Sequence, residues 1–162
     1  MRNYIKLSLA LVVFISMMSF SDRTTSIAKV TNKTSISSDT LTWKMLGDIK
    51  YVRKKHATYG EVEFPQVNMK LKMMQKKTVF MSGFIVPIDN KNYALSKNVF
   101  AACFFCGKSG PETIAGIKFK GATPKLKTDT YVTLKGTFRY NETDVEDWIY
   151  HIENAEIISQ SK

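Results

Sequence analysis

A chain of 162 residues with 44% hydrophobic composition is long enough to bury one real core and too short for two domains of ordinary size. Its formal net charge of +10 would suit an anionic partner or surface, but the lysines are scattered through every segment, as on a solvated face, and nucleic acid is not an expected partner. No serine, histidine and acid arrangement, phosphate-cradling glycine loop or paired-carboxylate motif stands out, which argues against catalysis.

Arg2 and Lys6 precede an apolar run from Leu7 to Phe20, and Ser19 and Ser21 are small residues at a cleavage position. This is the pattern of a secretory signal peptide over 1–21. At about 14 residues the run is short of the roughly 20 needed to cross a bilayer. No cysteine directly follows it to carry a lipid. Residues 22–40 are mostly Ser, Thr, Lys and Asn, too polar to offset the entropy of ordering, and read as a flexible tether. The expected location is periplasmic or otherwise extracytoplasmic. Loss of the leader removes two cations and leaves 22 basic residues against 14 acidic ones.

One domain is expected over 41–160. Trp43, Leu46 and Ile49 recur at spacings of three, a turn or two of amphipathic helix with Trp43 as its anchor. The stretch from Arg53 to Pro65 reads as a basic, turn-rich loop carrying His56. Val67, Leu71 and Met74 then repeat at helical spacing from Gln66 to Lys77, with Pro65 at the helix start and Met69 and Met73 beside a core-facing stripe. Thioethers are also soft copper ligands, but at this spacing the stripe reads as core.

Thr78 to Ile88 is apolar on both alternating faces and reads as a central strand, bent or bulged at Gly83 so that its two ends pair with different neighbours. A polar turn leads to a short strand at Tyr93 to Ser96. Ile114 to Phe119 and Thr130 to Tyr140 are further strands, the latter alternating cleanly. Asp147 to Ile158 is the last, with a phase slip near Asn154. The fold class is mainly β: a small OB-like Greek-key barrel of about five strands with one or two flanking helices.

Phe100 to Glu112, FAACFFCGKSGPE, holds both cysteines of the chain. A Cys103-x-x-Cys106 pair can supply two thiolates to a metal, act as a redox dithiol, or close a small disulfide ring. A structural staple gains least from so short a loop. Redox pairs usually open a helix, whereas Gly107, Gly110 and Pro111 point to a loop here. Two thiolates are half of a tetrahedral zinc set, which Glu112, His56 or His151 could complete if the fold brings one close. The metal candidates are Cys103, Cys106, Glu112 and His151, with zinc as the cofactor. The pair could equally be buried, with Phe104 and Phe105 there for packing. A separate reading places an anionic ligand on Lys135, Arg139 and strand aromatics of an OB-like barrel.

The order of the Trp43 to Leu46 opening, Phe64-Pro65, Gly83-Phe84-Ile85-Val86-Pro87, the cysteine loop and the closing Tyr131 to Ile157 hairpin resembles domain-of-unknown-function family 3299. In that family the loop commonly reads Cys-x-His before a proline run. Cys103 matches, the histidine is missing, and Cys106 stands one place later. The resemblance implies an exported, non-catalytic accessory of an envelope transport or metal-handling system, with ABC transporter components or other envelope proteins as partners and the membrane surface nearby. A thiol-disulfide redox protein is the alternative.

Overall fold

The computed structural model describes residues 40–161. The signal peptide read over 1–21, and all but Thr40 of the tether, lie outside the described residues. Leu41 joins the domain by donating its backbone N–H to Phe80 O at 2.8 Å. The Thr42 hydroxyl then caps helix α1 (Trp43–Leu46) by accepting from Met45 N, as N-cap threonines do. Trp43 is the expected anchor: its Nε1 donates to Ser82 O at 2.8 Å.

The next element differs from expectation. Instead of a loop, the chain forms an antiparallel ribbon of β1 (Ile49–His56) and β2 (Gly60–Val67), so Ile49 and Pro65 are strand residues rather than parts of helices. Its turn is a three-residue loop closed by Gly60 at φ +73°, where a side chain would be strained. His56 holds that turn, its Nδ1 accepting from the N–H of Thr58 and Tyr59 while its ring stacks on Tyr59.

Helix α2 (Met69–Met74) is shorter than expected. It starts at Asn68, whose side chain accepts from Leu71 N. Val67, Leu71 and Met74 are buried as the periodicity requires. Met69 and Met73, 71% and 64% exposed, are on the opposite side and add nothing to the core.

Five strands close a barrel: β3 (Thr78–Pro87), β4 (Tyr93–Ser96), β5 (Ile114–Phe119), β6 (Tyr131–Tyr140) and β7 (Tyr150–Gln160), in the spatial order β3-β4-β5-β7-β6. This is the small Greek-key barrel with flanking helices read from the sequence. β3 pairs with β6 up to Phe84 and with β4 from Phe84 onward, so its two ends do serve different neighbours.

Gly83 is not a bulge, however. It stays in regular register opposite Val132, and its role is steric: a Cβ there would fall 2.6 Å from Ser96 O and 2.9 Å from Leu95 Cγ. The phase slip in β7 is present at Asn154, in the left-handed region at φ +50°. Tyr150, Ile152 and Ala155 therefore all face inward, joining Val79, Met81, Ile85, Leu95, Leu134 and Phe138 in the core. β7 itself begins three residues later than expected.

Because β4 and β6 each run antiparallel to their successors and β5 is parallel to β7, the β4–β5 and β6–β7 connections leave from the same end of the barrel. That shared end brings the cysteine loop beside residues 141–149.

Candidate functional site

The cysteine loop is built from tight turns. The carbonyl of Phe100 accepts the backbone N–H of Cys103, that of Cys103 accepts Cys106, and that of Phe104 accepts Gly107, which ends the run at φ +67°. Ser109 Oγ braces the loop, donating to Ala102 O and accepting from Asn98 Nδ2. Asp129 accepts from Phe100 N at 2.6 Å. The 3-10 turn from Phe104 to Cys106 fixes the two cysteines differently: Cys103 is fully buried and Cys106 exposed.

Phe104 and Phe105, the residues between the cysteines, form one wall of a groove of about 330 Å³ at this end of the barrel. Phe105 meets Phe104 and Trp148 edge to face, at 5.7 and 5.8 Å between ring centroids. The facing wall is the ribbon, through Tyr51, Phe64 and Pro65, and the floor includes Ile114 and Ile149.

The ribbon is tied across by two tyrosine–carboxylate bonds. Tyr51 donates to Glu112 at 3.0 Å, and Tyr59 donates to Glu146. Burial first, then the Glu112 carboxylate, pushes the Tyr51 phenol well above its ordinary value, so both ties keep their protons through the neutral range. Val67 N also donates to Glu142 at 2.7 Å.

The predicted metal ligands do not assemble. Cys106 Sγ donates to Phe100 O at 3.2 Å and would have to abandon that bond to bind an ion. Glu112 is held by Tyr51. His151 belongs to another group on the outside of β7. Among the described residues, no three His, Cys, Asp or Glu side chains gather into a set able to hold a metal, and this arrangement does not fit zinc, which needs four converging ligands in a structural site. His56, engaged in its turn, does not join them.

His151 is largely covered and not a solvated strand histidine. Its ring covers Gly116, where a Cβ would fall 2.8 Å from Nδ1, and Nε2 lies 2.9 Å from Asp147 Oδ1 without a well-aligned hydrogen bond. Arg139, paired across from His151 on β6, binds Asp147 at 3.0 Å and Glu153 at 2.9 Å. Burial, then Arg139, hold the His151 pKa below its ordinary value, against the opposing pull of Asp147 and the Trp148 backbone. Burial raises the Asp147 carboxyl, but His151, Arg139 and the Trp148 N–H outweigh it and leave the pKa lowered.

Folding therefore favours neutral His151. Its contribution is complete above the unfolded value of about 6.5 and is lost as pH falls from there through the lower folded value. Asp147 adds a loss of the same sign in the acid range. The midpoint of urea unfolding should drop between pH 7.5 and pH 5, and His151→Gln should flatten that part of the profile; an unchanged profile would remove His151 as its cause.

Of the residues in the anionic-ligand reading, two are engaged in the fold and Lys135 stays exposed. Arg139 is neutralised by two carboxylates, Phe138 is buried, and Lys135 Nζ lies 5.9 Å from the Phe80 ring centroid. Sequence inspection missed the ribbon wall and the role of Trp148. The available signal was the cluster of phenylalanines around the two cysteines and the single tryptophan, Trp148, of the last loop.

No protein-family model and no curated protein matches the chain. Among solved structures, the chain is similar to the crystal structure of a DUF3299 family protein from Pseudomonas aeruginosa PAO1, with a TM-score of 0.45 and 12% sequence identity, covering 75% of this chain and 93% of that one. The family of that structure is the one the sequence motifs resemble.

Proposed function

We propose that the chain is an exported, non-catalytic binding protein, an accessory of an envelope system, whose ligand seats in the groove between the cysteine loop and the ribbon. The observation that carries this reading is the placement of Phe104 and Phe105: the two residues enclosed by the cysteine spacing line the groove and remain substantially exposed. Aromatic surface held open in a concave site gains free energy when a ligand covers it. Export rests on the leader, and the association with envelope transport rests on the motif resemblance. In this reading the cysteines frame the wall; they do not ligate zinc.

The test is titration of the full chain, recovered from cells, with the neutral apolar dye Nile red. Saturable binding at one site is expected, weakened about tenfold by Phe105→Ala, in line with the loss of roughly 1.4 kcal/mol of apolar contact. Dye binding that is absent, or indifferent to both Phe105→Ala and Trp148→Ala, would sink the reading.

A thiol–disulfide role has one observation in its favour, the exposure of Cys106 at the end of a turn whose other end is Cys103. Counting free thiols after exposure to a disulfide oxidant tests it. Only the exposed Cys106 should be lost, as a mixed disulfide with the oxidant, if the buried Cys103 is inaccessible, whereas rapid loss of both thiols as a Cys103–Cys106 disulfide, with the oxidant released as two thiols, would favour the redox role.

A further inference from the structure

The groove carries a charge opposite to that of the chain. Lysine and arginine outnumber acidic residues by 24 to 14 overall, yet Glu63, Asp144, Glu146 and Asp147 line the groove and no lysine or arginine does. Scattered charge would give the reverse ratio. Cations do stand next to some lining residues: Arg53 lies 3.7 Å from Glu63, Arg139 binds Asp147, and Lys54 sits over the Phe64 ring. Among the described residues, they leave Asp144 and Glu146 without an ion-pair partner. Glu146 accepts from a tyrosine hydroxyl, as does Glu112 at the other tie, and a neutral donor leaves the carboxylate charge in place.

From this we infer that the ligand is an extended polypeptide segment carrying lysine or arginine next to a large apolar side chain, an inference that rests on the groove being the binding site. The apolar side chain would sit against Phe105 and Trp148, where the walls are aromatic. The flanking cations would reach Glu63 on the ribbon and Glu146 in the 141–149 loop. Glu63 on the ribbon and Glu146 in the 141–149 loop are two separate elements of the lining, and an occupant that meets both must run along the groove, as a peptide backbone does. Aromatic anchors within a charged rim are the usual anatomy of such recognition, and the rim sets which partner is accepted more than how tightly it is held.

The experiment is displacement of Nile red from the full chain by three blocked peptides: acetyl-Lys-Phe-Lys-amide, acetyl-Ser-Phe-Ser-amide and acetyl-Glu-Phe-Glu-amide. At low salt the lysine peptide should displace the dye about tenfold better than the serine one, and the glutamate peptide worst, with the spread shrinking as salt rises toward a Debye length of about 8 Å. The double variant Glu63→Gln, Glu146→Gln should erase the lysine preference, read as the ratio of lysine-peptide to serine-peptide displacement so that any change in dye affinity common to the three peptides cancels. If the dye binds but the three peptides compete equally, or the double variant keeps the preference, the cationic ligand class is overturned and the groove survives as a site. If the dye itself fails to bind, the failure belongs to the proposed site instead.

Discussion

Gly83→Val is expected to lower the stability of the fold by about 3 kcal/mol, at the upper end of ordinary overpacking costs. The cause is contact and not backbone strain. A Cβ at this position meets the Ser96 carbonyl at 2.6 Å, Leu95 Cγ at 2.9 Å and Trp43 Cζ2 at 3.0 Å, and the carbonyl belongs to a paired strand that cannot swing away. Gly83→Ala should already cost a measurable part of this, because the first carbon makes the clash. Urea unfolding followed by circular dichroism measures both, and equal stability of the glycine and alanine forms would refute the steric account.

Tyr150→Ala should cost more, about 4 kcal/mol by comparison with other large aromatic truncations. Tyr150 is fully buried, packs against Phe138 with 6.0 Å between centroids, and donates its hydroxyl to Leu46 O at 2.7 Å. That bond joins the barrel to the carboxyl end of α1, just before the ribbon begins. Tyr150→Phe isolates it: the ring stays, the Leu46 carbonyl loses its partner, and a loss of about 1 kcal/mol is expected. With typical domains stable by only about 5–15 kcal/mol, the alanine variant should unfold at markedly lower urea. If Tyr150→Phe costs as much as Tyr150→Ala, the hydroxyl and not the packing dominates.

The strands most legible in the sequence are those with one face buried. Val132, Leu134 and Phe138 alternate with exposed or half-buried neighbours in β6, and the slip at Asn154 shows as a break in the same alternation. The ribbon was illegible for the converse reason. IKYVRKKH is exposed at nearly every position, so neither strand face imposes an apolar period, and the segment looks like a loop by composition.

At the site, the cysteine spacing pointed to the loop, and the structure turns its phenylalanines rather than its sulfurs toward the groove. The sulfurs look inward or toward a backbone carbonyl, and the intervening phenylalanines face the groove. Spacing reports which residues are close along the chain. Which of them face a cavity depends on the turn type, here a short 3-10 turn, and on a ribbon arriving from about forty residues earlier in the chain, a long-range meeting that no local pattern encodes.

Closure of the barrel leaves its strands no free edge, so among the described residues the ribbon is the sheet that still offers unpaired backbone to another molecule. Such an edge invites association between copies. Along β1, Lys50, Arg53, Lys54 and Lys55 are all exposed, and a second copy adding antiparallel to that edge would set like charges against like, which is destabilising. On β2, Pro65 withholds one N–H that a new strand would need. The basic run that conceals β1 from a pattern search is thus also what discourages it from templating fibrillar or domain-swapped assemblies, and part of the protein's large positive charge answers to colloidal behaviour more than to any ligand.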